Sequence, residues 1–276
     1  MTDGATGGAP HVAVLGGGVM GETLLGALLT AGWATEEVEV TERASARADE
    51  LAHRYGVRAG ASNAEASARA DVILVAVKPN VVASVLDEIK DALRGGVLVV
   101  SVAAGLPISS YESRLASGQP VVRVMPNTPA VVGKGASAIA PGTHAGEGHL
   151  ALVERMLAAT GLVVRVEEKD LDAVTAISGS GPAYAFYLID AMAEAGVLLG
   201  LPRDLATWLA VATVEGSAAL AAQSGDHPAV LRERVSSPGG TTVAAVQVLD
   251  AHGVRAAVVA AAEAARDRAR QLGKQY

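Results

Sequence analysis

A hydrophobic run, Val12-Ala13-Val14-Leu15, breaks at once into Gly16-Gly17-Gly18-Val19-Met20-Gly21, and this short stretch limits the fold more than any other. Gly16, Gly18 and Gly21 make the spacing G-x-G-x-x-G directly after a strand-like run and at the head of a helix-like one. In that setting the first glycine makes a tight turn and the second lets a pyrophosphate approach the backbone. The third packs helix against strand, and the phosphates face a positive helix end. A glycine-rich turn in an unrelated fold shares the letters but does not require the strand before and the helix after.

The chain up to residue 166 continues the same alternation. Val12–Leu15, Val38–Thr41, Asp71–Val77, Val97–Val102, Val121–Val124 and Leu162–Val166 read as strands. Their near-continuous hydrophobicity fits a parallel sheet covered on both faces. Between them, Met20 to Ala31 carries Leu24, Leu25 and Leu28 and stops at Gly32, and Ser62 with Glu65 forms a capping box. From Asp170 onward the pattern is helical throughout, broken by Gly/Pro/Ser clusters such as 179–182, 200–202 and 236–240. The expected fold is therefore α/β: an N-terminal Rossmann-like doubly wound sheet followed by an all-α C-terminal dimerisation domain. Residues 1–10 read as a disordered lead-in, 11–166 as the dinucleotide-binding domain and 167–276 as the helical substrate and dimerisation domain. Several of the Ala-rich helices are apolar on more than one face, so burial in protein, within an intimate dimer, is expected of them.

Composition narrows the class of partners. The chain has 276 residues, a formal charge of -7 and no cysteine, and is 50% hydrophobic but only 3% aromatic. No broad basic field offers itself to nucleic acid or anionic lipid. Disulfides, thiolate nucleophiles and cysteine–metal sites are excluded together. The six histidines show no metal-ligand spacing, so no metal is expected. Asp190, Glu194 and Glu215 interrupt the longest apolar runs, which argues against membrane spans, and the N-terminus lacks the basic and apolar regions of a signal peptide. A cytoplasmic enzyme is the expectation. The same three acids could serve as buried catalytic groups, but partnered caps or interface contacts are the commoner fate of such residues.

The end of the second strand, Thr41-Glu42-Arg43, bears on which dinucleotide is bound. An acidic residue there accepts from the ribose 2′-hydroxyl, whereas an arginine accommodates a 2′-phosphate. Arg43, helped by Thr41 and Arg47, favours NADPH, with NADH as the alternative; Glu42 would repel the phosphate unless it turned to solvent. Lys78, extended by the following Pro79, either reaches a phosphate or ribose or is a solvated loop lysine.

A second constellation lies in the helical half. Val235-Ser236-Ser237-Pro238-Gly239-Gly240-Thr241-Thr242 precedes a helix and presents backbone N–H groups and hydroxyls suited to a carboxylate. Ordinary capping by Thr241 or Thr242 explains the same residues without a ligand. Ser178-Gly179-Ser180-Gly181-Pro182 can be read in the same two ways.

The run from Arg123 through Met125-Pro126-Asn127-Thr128-Pro129 to Ala130, the run Thr175 to Met192 and the run Val235 to Thr242 together resemble the pyrroline-5-carboxylate reductases. The likeness extends from about His11 to Gly273. It implies reduction of the C=N bond of a five-membered cyclic imino acid by NAD(P)H, giving L-proline at the end of proline biosynthesis. It also implies a homodimer interlocked through the helical domain, assembled in some members into rings of dimers. By resemblance, Leu15, Gly16, Gly17, Gly18, Val19, Met20, Arg43, Asn63, Ala76, Val77, Lys78 and Ala104 match cofactor-contacting positions. Glu168, Ser237, Gly239, Gly240, Thr241 and Thr242 match substrate-contacting ones, and Thr242 is the candidate catalytic residue, its hydroxyl directed at the ring nitrogen.

A protonated imine accepts hydride readily, so the expected chemistry needs alignment and exclusion of water rather than a strong acid. A β-hydroxyacid dehydrogenase on the same plan would want a lysine in the helical domain, yet none occurs between Ala173 and Arg270. A dinucleotide-sensing protein that had lost catalysis would tolerate an eroded substrate loop, and this loop is intact.

Overall fold

The computed structural model describes residues 9–273, so most of the lead-in expected over residues 1–10 lies outside the described residues. The chain divides into two compact units: residues up to Gly179 together with those from Ala265, and Ser180–Ala264. By compactness the segment from the last strand to Gly179 groups with the first unit. Leu171, fully buried in the core of the first unit, ties the segment after the last strand to that unit.

In the first unit, β1 (Val12–Leu15), α1 (Val19–Thr30), β2 (Val38–Thr41), α2 (Ser45–Tyr55), β3 (Arg58–Gly60), α3 (Asn63–Arg69) and β4 (Val72–Val75) come first. Then follow α4 (Pro79–Ile89), β5 (Leu98–Ser101), α5 (Ile108–Glu112), β6 (Val121–Met125), β7 (Gly135–Pro141), α6 (Glu147–Leu157), β8 (Gly161–Arg165) and α7 (Leu171–Val174). One sheet contains all eight strands in the order β3-β2-β1-β4-β5-β6-β7-β8. Leu15 at the end of β1 is in register with Thr41 of β2 on one side and Val75 of β4 on the other. The strand order reverses at β1, which opens a crevice beyond its carboxyl end, the usual ligand position in open α/β sheets.

Two strands escape the sequence pattern. β3 has three residues and β7 reads Gly-Ala-Ser-Ala-Ile-Ala-Pro, so neither carries the β-branched run that marks the others. β7 also pairs antiparallel with β6, so the sheet is mostly rather than wholly parallel. The other strands fall where expected with small shifts at their ends, for instance Val72–Val75 inside Asp71–Val77. Ser62 Oγ accepts from the Glu65 N–H at 3.2 Å, which is one half of the expected capping box.

Both faces of the sheet are covered, as the unbroken hydrophobicity of its strands requires. Val12 and Val14 point to one face, where Leu24, Leu25 and Leu28 of α1 and Val153 and Met156 of α6 join them. Ala13 and Leu15 point to the other, against Val82, Val85, Leu86 and Ile89 of α4. Each fully buried leucine or isoleucine contributes about 1.5–3 kcal/mol of transfer free energy.

The second unit holds α8 (Gly181–Leu198), α9 (Arg203–Ser224), α10 (Pro228–Arg234), α11 (Thr241–Ala251) and the first part of α12 (Val254–Gly273). α8 and α9 pack closely through small residues: a Cβ on Gly196 would come within 2.7 Å of Ala206 Cβ. Among described residues of this unit only Ala193, Ala206 and Ala210 are fully buried, while Tyr187 is 80% and Leu198 88% exposed. The burial expected of these helices is therefore not achieved within one chain. Asp190, Glu194 and Glu215 are likewise exposed. By length and composition α9 is apolar enough to cross a membrane.

Candidate active site

The glycine loop has a separate physical role for each of its three motif positions. Gly16 sits at φ +106°, a left-handed conformation that side chains disfavour, and a Cβ there would lie 2.9 Å from the Ala76 carbonyl. A Cβ on Gly21 would fall onto the Gly16 carbonyl, so only glycine lets α1 approach the end of β1. Gly18, at the head of α1, is exposed with φ -70°, and a Cβ there would meet nothing within 4 Å. Nothing within the protein demands glycine at that position. The missing side chain leaves the backbone open to close approach, as a dinucleotide pyrophosphate would require.

Beside the loop runs a groove of about 380 Å³, lined by Gly16, Gly18, Arg43, Asn63, Val77 and Lys78 among others. Seven of the residues expected to touch the cofactor therefore meet here, because Ala76 lines it too. Gly17, Val19, Met20 and Ala104 are not part of its lining. The Leu15 side chain is fully buried in the sheet and offers a ligand only its backbone. Lys78, at the N-terminus of α4, is exposed at the groove. Asn63 is almost wholly engaged: its Oδ1 accepts from Thr41 Oγ1 at 2.6 Å and its Nδ2 donates to Glu88 at 2.9 Å. Thr41, Ala61, Val81 and Val85 also line the groove; of these the sequence reading weighed only Thr41.

The charges at the end of β2 are arranged differently from the expectation. Glu42 does not turn to solvent. Its Oε2 accepts from the Gly17 N–H at 3.1 Å, and its Oε1 from the N–H groups of Arg43 at 2.8 Å and Ala44 at 3.2 Å. Arg47, expected to assist with a phosphate, is occupied elsewhere. It donates to the Gly17 carbonyl at 3.0 Å and pairs with Glu22 and with Glu50 at 2.7 Å. Burial alone would raise the Glu22 carboxyl, but hydrogen bonds from Arg47, Tyr55 and Arg54 hold it below its ordinary value. The Arg43 guanidinium is exposed and has no partner among the described residues.

Glu168 is anchored rather than solvated. Its Oε1 accepts from the Ile108 N–H at 2.6 Å and pairs with Arg123 at 3.2 Å, leaving Oε2 without a partner among the described residues. Arg123 is only 6% exposed. Tyr111 is fully buried with its hydroxyl 2.6 Å from Ser101 Oγ, and burial pushes the phenol above its usual range. Asn127 accepts from the Ala136 N–H at 2.8 Å and donates to the Ser178 carbonyl at 3.0 Å. Ser178 lies in a π-helical turn over Thr175–Gly179, the kind of local irregularity that clusters at functional sites.

The loop before α11 is the remaining element. Gly239 takes φ +68°, and a Cβ on Gly240 would fall onto the Ser237 hydroxyl. Gly240, the residue before the helix, has no side chain, and no other side chain caps α11. The N–H groups of Thr241, Thr242 and Val243 and both threonine hydroxyls have no partner among the described residues. Capping by Thr241 or Thr242, the ligand-free explanation of these residues, is not what the structure contains.

A switch-point crevice with a glycine loop fitted to a pyrophosphate, joined to a helical half, defines a nicotinamide-dinucleotide oxidoreductase with a helical partner region. Comparison with known proteins supports each half. Residues 11–105 match the model for NADP oxidoreductase, coenzyme F420-dependent, and residues 168–272 the model for pyrroline-5-carboxylate reductase dimerisation. A pyrroline-5-carboxylate reductase of Corynebacterium melassecola is 46% identical over 266 residues, covering 95% of this chain and 98% of that one. Two solved structures are also similar. One is a pyrroline-5-carboxylate reductase from Coxiella burnetii, with a TM-score of 0.91, 34% identity and coverage of 96% and 98%. The other, pyrroline carboxylate reductase of Plasmodium falciparum with NADP bound, has a TM-score of 0.86, 30% identity and coverage of 97% and 100%. The chain belongs to the pyrroline-5-carboxylate reductase family.

Proposed function

We propose that the loop before α11 receives the carboxylate of a cyclic imino acid on the N–H groups of Gly239, Thr241 and Thr242, and that the Thr242 hydroxyl hydrogen-bonds the ring nitrogen. As a member of its family the chain is an oxidoreductase that reduces the C=N bond of 1-pyrroline-5-carboxylate to L-proline, the last step of proline synthesis. The uncapped N-terminus of α11, with its unpartnered amides and hydroxyls, carries the residue-level reading.

When bound, the reduced nicotinamide of NADPH or NADH supplies the hydride. The protein's own groups orient. Gly16 and Gly18 admit the pyrophosphate, Lys78 and Arg43 place positive charge along the groove, and Asn63 with Thr41 forms its polar wall. The helix end fixes the substrate carboxylate through oriented N–H donors. Thr242 stabilises the product amine or passes a proton to it, and Oε2 of Glu168 is available as a further acceptor. Ser237 sets the loop shape by accepting from the Gly240 N–H through its backbone carbonyl at 2.9 Å.

The chain carries a dimerisation domain. We extend this to a homodimer formed through the apolar helices of residues 167–276, with dimers assembling into a ring, and to work in the cytoplasm on a small-molecule substrate without nucleic acid or membrane. The exposed Phe186, Trp208 and Leu198 support a subunit contact in this region.

The carboxylate assignment is tested by competition. Oxidation of NADPH followed by dihydronicotinamide absorbance must depend on added pyrroline-5-carboxylate. Cyclopentanecarboxylate, which keeps the ring and the carboxylate, should compete with the imine, whereas pyrrolidine, which keeps only the nitrogen, should not. Inhibition by pyrrolidine alone would contradict the assignment.

A further inference from the structure

The glycine loop has three glycines in a row, so the peptide joining Gly17 to Gly18 is flanked by two residues without side chains. Such a peptide rotates between orientations at little cost, and the motif alone does not fix where its N–H points. Two side chains grip Gly17 from its two sides. Glu42 accepts from its N–H at 3.1 Å, and Arg47 Nε donates to its carbonyl at 3.0 Å. Arg47 lies on α2, and its other two guanidinium nitrogens pair with Glu22 of α1 and, at 2.7 Å, with Glu50 of α2. Glu22 is held in turn by Tyr55, whose hydroxyl donates at 3.1 Å, and by Arg54. All three nitrogens of the Arg47 fork are thus engaged, one of them on a loop carbonyl rather than on a charge.

We propose that Arg47 is a positioning residue for dinucleotide binding: by holding the Gly17 carbonyl against α2 it aims the Gly18 N–H at the pyrophosphate. The C=O and N–H of a trans peptide point in opposite directions, so a carbonyl drawn to Arg47 turns the next N–H away from α2. That N–H has no partner among the described residues, and Gly18 lines the groove whereas Gly17 does not. The folded chain has already ordered the peptide, so the ligand does not have to order it on arrival. Arg47 acts through the loop and not by contact with the cofactor, and Glu22 and Glu50 hold its guanidinium in place to do so.

This inference rests on the pyrophosphate lying on the glycine loop, and the experiment separates the two claims. Dissociation constants for NADPH and NADH are measured by nicotinamide fluorescence, with kcat and KM, on the full-length wild type, Arg47→Lys, Arg47→Met, Arg54→Met and Gly18→Val. Arg47→Lys keeps a charge between Glu22 and Glu50. A compact ammonium favours the two carboxylates and releases the carbonyl, so the fold survives while the restraint is lost. Both Arg47 variants should bind NADPH and NADH about 10-fold more weakly, and equally so, the loss expected when the freed peptide holds the binding orientation about a tenth of the time. KM for either cofactor should rise in step, while kcat at saturating cofactor should not fall. Arg54→Met breaks the same ion-pair network without touching the loop, and should lower the melting temperature yet leave both affinities at wild type. Wild-type affinity in either folded Arg47 variant overturns the proposal, as does an equal loss in Arg54→Met. A loss confined to NADPH also overturns it, since Arg47 would then be reading a phosphate directly. If Gly18→Val abolishes binding while the Arg47 variants bind normally, the pyrophosphate stays on the loop and the positioning role alone falls. Normal binding by Gly18→Val removes both.

Discussion

The carboxylate of Glu42 accepts a hydrogen bond at 3.1 Å from the backbone N–H of Gly17, a residue 25 positions earlier in the chain. The contact joins the end of β2 to the glycine loop, and the packing around it leaves no slack. A Cβ on Gly17 would lie 2.5 Å from Leu51 Cδ1 and 3.3 Å from Glu42 Cβ. Gly17→Ala should therefore destabilise the first unit by about 1–3 kcal/mol, the usual cost of overpacking. Gly18→Val places its side chain in open space and should leave the melting temperature near wild type while abolishing dinucleotide binding. Thermal melts and a fluorescence titration of both variants check the pair. Unchanged NADPH affinity in Gly18→Val would remove the pyrophosphate from this loop.

Arg43→Ala removes a guanidinium that the protein itself does not use. Stability should be unaffected, and NADPH affinity should fall by the value of one charge-assisted contact, roughly 1.5–3 kcal/mol. NADH affinity should hold within about twofold, since a contribution of under 0.5 kcal/mol is at stake. Equal losses for both cofactors would show that Arg43 meets a part of the molecule common to them.

Glu22 offers a test by pH. Its carboxyl value is lower in the folded chain than the unfolded value of about 4.3, because Arg47, Tyr55 and Arg54 outweigh its burial. The native state then binds fewer protons than the unfolded state. The stabilisation is complete above the unfolded value and disappears as pH falls through the folded one. The melting temperature of Glu22→Gln should lie below wild type near pH 7, and the gap should close as pH falls below the unfolded value and through the lowered folded one. A gap independent of pH would contradict a charge-based role.

How much of this was legible beforehand differs between elements. The glycine spacing and the β-branched runs at Val12, Val38, Leu98 and Val121 expose the sheet, because a doubly covered parallel strand has to be hydrophobic along its length. β7 is hidden because its three alanines and single serine fill a close-packed position beside β6 and β8 without any strand signature of their own. The direction in which Glu42 points is set by an amide on another element, and no local pattern reports that. The withdrawal of Arg47 into an ion-pair network is likewise a tertiary event. In the loop before α11, Thr241 and Thr242 stand where either capping or binding is chemically sensible, and only the folded chain shows that neither hydroxyl caps the helix.

Glu168 joins the two kinds of role. Glu168→Gln keeps an acceptor for the Ile108 N–H but removes the charge opposite the buried Arg123. Stability should fall by about 1–3 kcal/mol, discounted toward the lower figure because Glu168 is partly exposed. If its free oxygen also meets substrate, kcat/KM for pyrroline-5-carboxylate should drop further than the loss of folded protein explains, with NADPH affinity unchanged. A melting shift with unaltered kcat/KM would confine Glu168 to supporting Arg123.

The most direct test of the account is the Thr242 hydroxyl. Thr242→Val keeps the β-branched shape and deletes one group that has no partner within the described chain. Since that group caps nothing, stability should change little. Measured with saturating NADPH and varied pyrroline-5-carboxylate, kcat/KM should fall about 10- to 100-fold, the equivalent of a hydrogen bond of roughly 1.5–3 kcal/mol lost from the transition state. Cofactor affinity should hold. A folded Thr242→Val enzyme with wild-type kcat/KM for the imine would contradict the role assigned to this residue.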